Sequence, residues 1–212
     1  MTRTLSRALA LAAALITTPA AAADLYYGKA PAFAAAPFNG YNWNGAYVGV
    51  NLGYQWGKVT NWSGGEPNGV IGGGQSVYNW QFNQFVLGLE ADLQGSAAEG
   101  TFAAYKFANP WFGTLRGRAG YAFNNIMFYT TAGLAFGELR GELFGLSESH
   151  SSAGWTVGLG SEFRLTDFGL PTNWSAKIEY LYVDLAESAF TVTGASNGYR
   201  FGTIRAGLNY HF

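Results

Sequence analysis

Residues 45–57 read GAYVGVNLGYQWG, and taken alternately they separate into two kinds of side chain. Ala46, Val48, Val50, Leu52, Tyr54 and Trp56 fall on one side; Gly45, Gly49, Asn51, Gly53, Gln55 and Gly57 fall on the other, with Tyr47 among them. Successive side chains of an extended chain point to opposite faces. The stretch is therefore a strand with one greasy face and one face that is small or polar.

The same alternation recurs to the last residue. A second strand near residues 75–82 sets Tyr78, Trp80 and Phe82 against Gln75, Asn79 and Gln81, and a third sets Phe85, Leu87, Leu89, Ala91 and Leu93 against Val86, Gly88, Glu90, Asp92 and Gln94. In the fourth, Leu115, Ala119, Tyr121 and Phe123 oppose Thr114, Arg116, Arg118 and Gly120; in the fifth, Phe128, Ala132, Leu134 and Phe136 oppose Tyr129, Thr131, Gly133 and Gly137. The sixth carries Trp155, Val157, Leu159, Phe163 and Leu165 against Thr156, Gly158, Gly160, Glu162 and Arg164. Trp174, Ala176, Ile178, Tyr180 and Tyr182 oppose Ser175, Lys177 and Glu179 in the seventh, and Ile204, Ala206, Leu208, Tyr210 and Phe212 oppose Thr203, Arg205, Gly207, Asn209 and His211 in the eighth. Connections at Asn83, at Asn124 and over 166–172 are short, while those around Asn61, Phe102, Phe144 and Ser188 are long. Short turns belong on the periplasmic side of an outer-membrane barrel and long loops outside the cell. A strand of about 10 residues rises roughly 33 Å, which after a ~40° tilt matches the ~25 Å apolar band of such a barrel. The fold class expected is all-β, an eight-stranded antiparallel up-and-down transmembrane β-barrel.

Upstream of the strands, Arg3 and Arg7 precede an apolar run over residues 8–16, then Thr17, Thr18, Pro19 and a block of alanines. That is the order of a secretory signal peptide, with a run well short of the ~20 residues of a spanning helix. The organisation predicted is a signal peptide at 1–23, a periplasmic arm at 24–43 whose residues 25–37 form an alanine- and proline-rich tether, and the barrel at 44–212. No later segment has the long apolar run of a spanning helix, which excludes a helical membrane protein. Net charge is −1 with the charges scattered, so no basic face recruits nucleic acid. The chain has no cysteine, so stability must come from burial and backbone pairing.

A soluble eight-stranded barrel would turn the apolar face inward around a ligand. Three features favour the inverted arrangement. Aromatics gather at two levels, Trp80, Phe82, Phe85, Tyr121, Phe123, Phe128, Phe163, Trp174, Tyr210 and Phe212 near the short turns and Tyr54, Trp56, Trp111, Phe136, Trp155 and Tyr182 near the long loops, as in two interfacial girdles. Glu90, Asp92, Arg116, Arg118, Glu162, Arg164, Lys177, Glu179 and Arg205 all share the face opposite the aliphatics, where the narrow interior makes them a lumen charge network. Facing lipid at mid-membrane, an Arg or Lys would cost about 2–4 kcal/mol; Glu138 and Arg200 are the charges read on that parity, at extracellular strand ends. Leu208, Tyr210 and Phe212 end the last strand on one face, in the form of a signal for the outer-membrane assembly machinery.

Residues 43–54 (WNGAYVGVNLGY), 79–92 (NWQFNQFVLGLEAD), 111–121 (WFGTLRGRAGY), 174–184 (WSAKIEYLYVD) and 203–212 (TIRAGLNYHF) resemble the small β-barrel surface antigens of alphaproteobacteria, related in architecture to opacity proteins. The resemblance implies an abundant, non-catalytic component of the cell outer membrane that contributes to envelope integrity and surface interactions, some members being called porins and some linked to haem. It also implies an Ala-Asp start of the mature chain that can be joined to peptidoglycan, which would be Ala23 and Asp24 if cleavage follows Ala22. The partners expected are outer-membrane lipids, the assembly machinery and, through that pair, peptidoglycan.

Rival chemistry is thin. His150, Ser152 and Glu162 loosely resemble a His-Ser-acid arrangement, but a histidine beside serines at a loop mouth is ordinary. His150 and His211 fall at opposite ends of the barrel and make no metal site; no cofactor is expected. Glu90 and Asp92 could form a cation-selective constriction, yet they face Arg116 and Arg118 on the neighbouring strand. Two function classes remain: a structural envelope protein, and a narrow porin-like channel for small solutes.

Overall fold

The computed structural model describes residues 40–60, 66–102, 105–143, 146–190 and 195–212. The signal peptide at 1–23, the arm up to residue 39 and the pair Ala23 and Asp24 lie outside the described residues. Among those described, eight strands run in chain order: β1 (Gly45–Val59), β2 (Asn68–Phe82), β3 (Phe85–Phe102), β4 (Tyr105–Phe123), β5 (Ile126–Leu143), β6 (Leu146–Arg164), β7 (Trp174–Phe190) and β8 (Ala195–His211). Each pairs antiparallel with the next, and β8 closes on β1 through pairs such as Tyr47 with His211 and Val50 with Leu208. Closure leaves no unpaired sheet edge, the condition for a sheet to cross hydrocarbon.

The short turns follow from their residues. Asn83 and Asn124 hold φ of 54° and 51°, a left-handed conformation that asparagine tolerates and two-residue hairpins require. The third short connection is a 3-10 turn over Leu165–Phe168, stopped by Gly169 at φ 78°. These turns share one end with residue 45 and residue 212, and the long loops share the other.

The faces are those of a membrane barrel. Val50 and Leu52 are 65% and 66% exposed, whereas Asn51 and Gln55 between and beyond them are buried. Leu87, Leu89, Leu115, Leu134, Leu159 and Ile178 are likewise exposed around the circumference. An apolar belt outside and polar groups inside is the reverse of a soluble barrel, because the outer solvent is lipid.

The strands run 15–19 residues where about ten were expected. β2 begins at Asn68 rather than near Gln75, because Gly69 and residues 72–74, all glycine, have no side chains from which alternation can be read. Beyond the lipid the hairpins stay paired, as in Gly141 with Glu148, although their alternation no longer separates greasy from polar. Register shifts at Gly95/Ala98, Ala108/Phe112 and Leu185/Ser188 break the parity at the same level. The outward charges there are more numerous than Glu138 and Arg200: Asp184 pairs with Arg200 at 3.0 Å, Arg140 with Glu138 at 3.2 Å, and Lys58 with Glu66 at 3.1 Å. Burial alone would raise the Glu138 carboxyl, but bonds from Ser149, Trp111 and Arg140 outweigh it and hold the group below the usual carboxylate range.

Candidate functional site: a filled lumen

The interior is stacked in layers. In the middle, three acids meet three bases. Arg116 on β4 places Nη2 at 2.8 Å from both Glu90 and Asp92 on β3, and Nη1 at 2.9 Å from Glu179 on β7. Lys177 on β7 reaches Glu90 at 2.7 Å, and Arg205 on β8 reaches Glu179 at 2.6 Å and Asp92 at 3.1 Å. Arg116 also donates Nε to Thr114 and Nη1 to Thr131, both at 2.9 Å. The bonds run from β3 and β4 to β7 and β8, so they tie opposite walls across the lumen. All six charged side chains are wholly buried. Breaking one member of such a cluster strands an uncompensated charge.

Nearer the periplasm, Glu162 on β6 is the hub of a second set. It accepts from Tyr47 Oη at 2.8 Å, Ser175 Oγ at 2.5 Å, Asn209 Nδ2 at 2.7 Å and Arg118 Nη2 at 3.3 Å. Arg118 also donates to Tyr47 Oη and lies over the Tyr129 ring at 3.9 Å. The His211 ring stacks on Tyr47 with centroids 4.4 Å apart and bonds Ser175 at 2.9 Å. Arg118 lies 3.8 Å from Glu90, which joins this set to the middle layer.

Of the nine charged residues predicted to share the lumen, the structure brings eight into these linked sets. Arg164 stands apart, lower on β6, with its guanidinium 3.5 Å over the ring of Tyr41. Tyr41 and the fully buried Trp43 belong to the expected arm, and with Val86, Ala122, Met127 and Tyr129 they form an apolar layer at the periplasmic mouth. His150 bonds Glu148 at 2.8 Å at the opposite end of β6 from Glu162, so His150, Ser152 and Glu162 do not assemble as a triad.

A second apolar layer closes the extracellular end and was not read from the sequence. Val59, Ile71, Phe107, Phe112, Ala135, Leu139, Val183, Leu185, Tyr199 and Phe201 pack together inside the barrel. Phe112 meets Phe201 edge-on at 5.0 Å, and Tyr199 stacks on Phe201 at 4.9 Å. Ile71, Val183 and Phe201 stand on the inward parity, and an apolar residue there was the available signal.

The inward glycines make room for these side chains. A Cβ on Gly160 would meet Tyr129 Oη at 2.6 Å; on Gly88, Asn79 Oδ1 at 2.4 Å and Arg118 Cγ at 3.0 Å; on Gly53, Arg205 Cβ at 2.7 Å. Space vacated by glycine is taken up by arginine, tyrosine and asparagine.

The chain matches the family described as outer membrane protein beta-barrel domain over residues 8–212. It is 35% identical to the 31 kDa outer-membrane immunogenic protein of Brucella melitensis biotype 1, over 96% of this chain and 98% of that protein. It is 31% identical to the 22 kDa outer membrane protein of Rhizobium leguminosarum bv. viciae, over 81% of this chain and 79% of that one. Among solved structures, Neisserial surface protein A shares the fold at 16% identity, with a TM-score of 0.54 over 80% of this chain and 98% of that one. A closed eight-stranded wall, greasy outside and charge-filled inside, thus meets matches along nearly its whole length, and the chain belongs to the outer membrane protein beta-barrel domain family and resides in the outer membrane.

Proposed function

We propose that the protein is a structural, non-conducting and non-catalytic barrel of the envelope, whose filled interior stiffens the wall and whose outer ends serve surface interactions. The observation that carries this reading is the ion-pair layer: three acids and three bases, wholly buried, bridging opposite walls at mid-barrel. An eight-stranded barrel has an interior just wide enough for its own side chains. A solute would have to break several charge-assisted bonds at once to pass. The charged outer rim, with Lys58, Glu66, Arg140 and Arg200, is exposed at the extracellular end and suits contact with polar surfaces. Leu208 and Tyr210 on β8 and Phe212 directly after it are exposed, Phe212 at 80%, in the position an assembly factor would read. The pair Ala23 and Asp24 is assigned to peptidoglycan attachment on the resemblance alone, and peptidoglycan digests lacking any peptide from this N-terminus would refute it.

Planar-bilayer recordings of the refolded full chain test the central claim. Silence above background supports the sealed barrel. Steady conductance steps that change on Arg116→Ala would replace it with the narrow channel.

A further inference from the structure

The periplasmic mouth holds buried donors that find no acceptor among the described residues. The Arg164 side chain is buried, and among the described residues its Nε, Nη1 and Nη2 find no hydrogen-bond partner of good geometry, Tyr41 being an electrostatic neighbour. The indole Nε1 of Trp43, whose ring centroid lies 6.0 Å from the Arg164 guanidinium carbon, has none either. Glu162, two residues along the same strand, is already taken by Tyr47, Ser175, Asn209 and Arg118. Arg164 is therefore held by the face of Tyr41 at 3.5 Å, while the edge that carries its five N–H groups is left over. A buried donor without an acceptor is costly and calls for a ligand, a water or an ion. The planar fork of a guanidinium matches the paired oxygens of a carboxylate or phosphate.

The segment that packs on Arg164 is a strap. Residues 41–43 lie across the mouth, held by Tyr41 N donating to Asn124 O at 3.1 Å and Trp43 N donating to Gln81 Oε1 at 2.5 Å. Tyr41 packs edge-on against Trp43 at 5.1 Å and against His211 at 6.0 Å. We propose that this mouth is an oxyanion site with a built-in latch: the 41–43 strap rests on Arg164 until a carboxylate or phosphate group from the periplasm takes the guanidinium edge. Because the donor nitrogens are covered, the anion reaches them only when the strap lifts, so binding and opening are linked. The ion-pair and extracellular layers do not take part, and the lumen stays closed above the mouth. Anion binding at the mouth is thus independent of whether the barrel conducts.

The absence of native cysteine gives a clean probe. Ala122 faces inward, is fully buried and packs in the layer with Trp43, so the thiol of Ala122→Cys is shielded while the strap is down. The full chain, refolded in detergent, is labelled with a water-soluble maleimide in rising inorganic phosphate or acetate, with chloride at matched ionic strength as reference. The expected result is a saturable acceleration of about fivefold or more by phosphate or acetate over chloride, the opening set by preferential binding to the open state. Adding Arg164→Gln should make labelling fast and insensitive to the anion, since both the stack and the fork are gone. If that variant lacks the heat-dependent gel shift of a folded barrel, Arg164→Lys, which keeps the charge and loses the fork, should show a weaker anion response. A phosphate response without an acetate response assigns a phosphate ligand, and the converse a carboxylate. Equal acceleration by chloride, or no acceleration by any anion, overturns the site and leaves buried water on the Arg164 edge.

Discussion

Replacing Arg116 with Met removes the charge at the centre of the middle layer while keeping most of the side-chain volume. Glu90, Asp92 and Glu179 then share Lys177 and Arg205, and Arg118, 3.8 Å from Glu90, is already engaged with Glu162, so one buried negative charge is left uncompensated in this layer. At an effective dielectric of about 20, one contact between unit charges at 4 Å is worth about 4 kcal/mol. Arg116 makes three such contacts, but its transfer from water offsets much of their sum. Removing one partner from a buried pair costs about 3–5 kcal/mol in net terms, and that is the destabilisation expected. Adding Glu90→Gln restores the balance, two acids against two bases in this layer, and Lys177 keeps Glu179 at 3.6 Å. The double variant should therefore be more stable than the sum of the single losses, with a coupling of about 2 kcal/mol. Urea unfolding in lipid vesicles, followed by tryptophan fluorescence, measures all three variants against the parent. A loss under about 1 kcal/mol for Arg116→Met with no coupling to Glu90→Gln would mean that water screens these charges, the behaviour of an exposed pair. The sealed lumen would then be wrong.

Leu89→Arg places a charge on the lipid-facing belt and should cost about 2–4 kcal/mol in the same assay, whereas Lys58→Ala at the outer rim should change stability by less than about 1 kcal/mol. Phe201→Ala opens a cavity in the extracellular layer and is expected to destabilise by about 3 kcal/mol without producing conductance, since the ion-pair layer still blocks the path. Gly160→Ala forces a methyl group against Tyr129 Oη and Ile178 O and should cost about 1–3 kcal/mol, read from the urea midpoint.

How much of this was legible follows from the thickness of the wall. A barrel wall is one strand deep, so period two alone sorts every residue into lipid or lumen, and Val48, Val50 and Leu52 announced their side directly. Short-turn asparagines and the even strand count supplied the direction. The lateral partners were partly readable too, since Glu90 and Arg116 sit opposite each other in adjacent strands. Partners across the lumen were not. Whether Arg116 meets Glu179, 63 residues away, depends on how far successive strands slide past one another, and no local pattern records that stagger. The same stagger set Arg164 below the other charges although its parity is theirs. The extracellular plug escaped because an apolar residue on the inward parity, such as Ile71 or Phe201, reads locally as a blemish in the alternation.

The order of the layers has a physical reason. At mid-membrane the outer face is committed to hydrocarbon, so the inner side chains alone can pull opposite walls together there, and charge-assisted bonds do this with directional strength. Those bonds are strong only if water is kept from them, because a hydrated lumen would reduce each contact to the value of a surface pair. The apolar layers sit on either side of the ion pairs, Phe112 and Phe201 above, Trp43 and Met127 below, where the lumen opens to water. Greasy caps preserve the low dielectric that the charges need, and the charges in turn hold in place the walls that carry the caps. Stability of the barrel is in this sense a property of the stack rather than of any one layer.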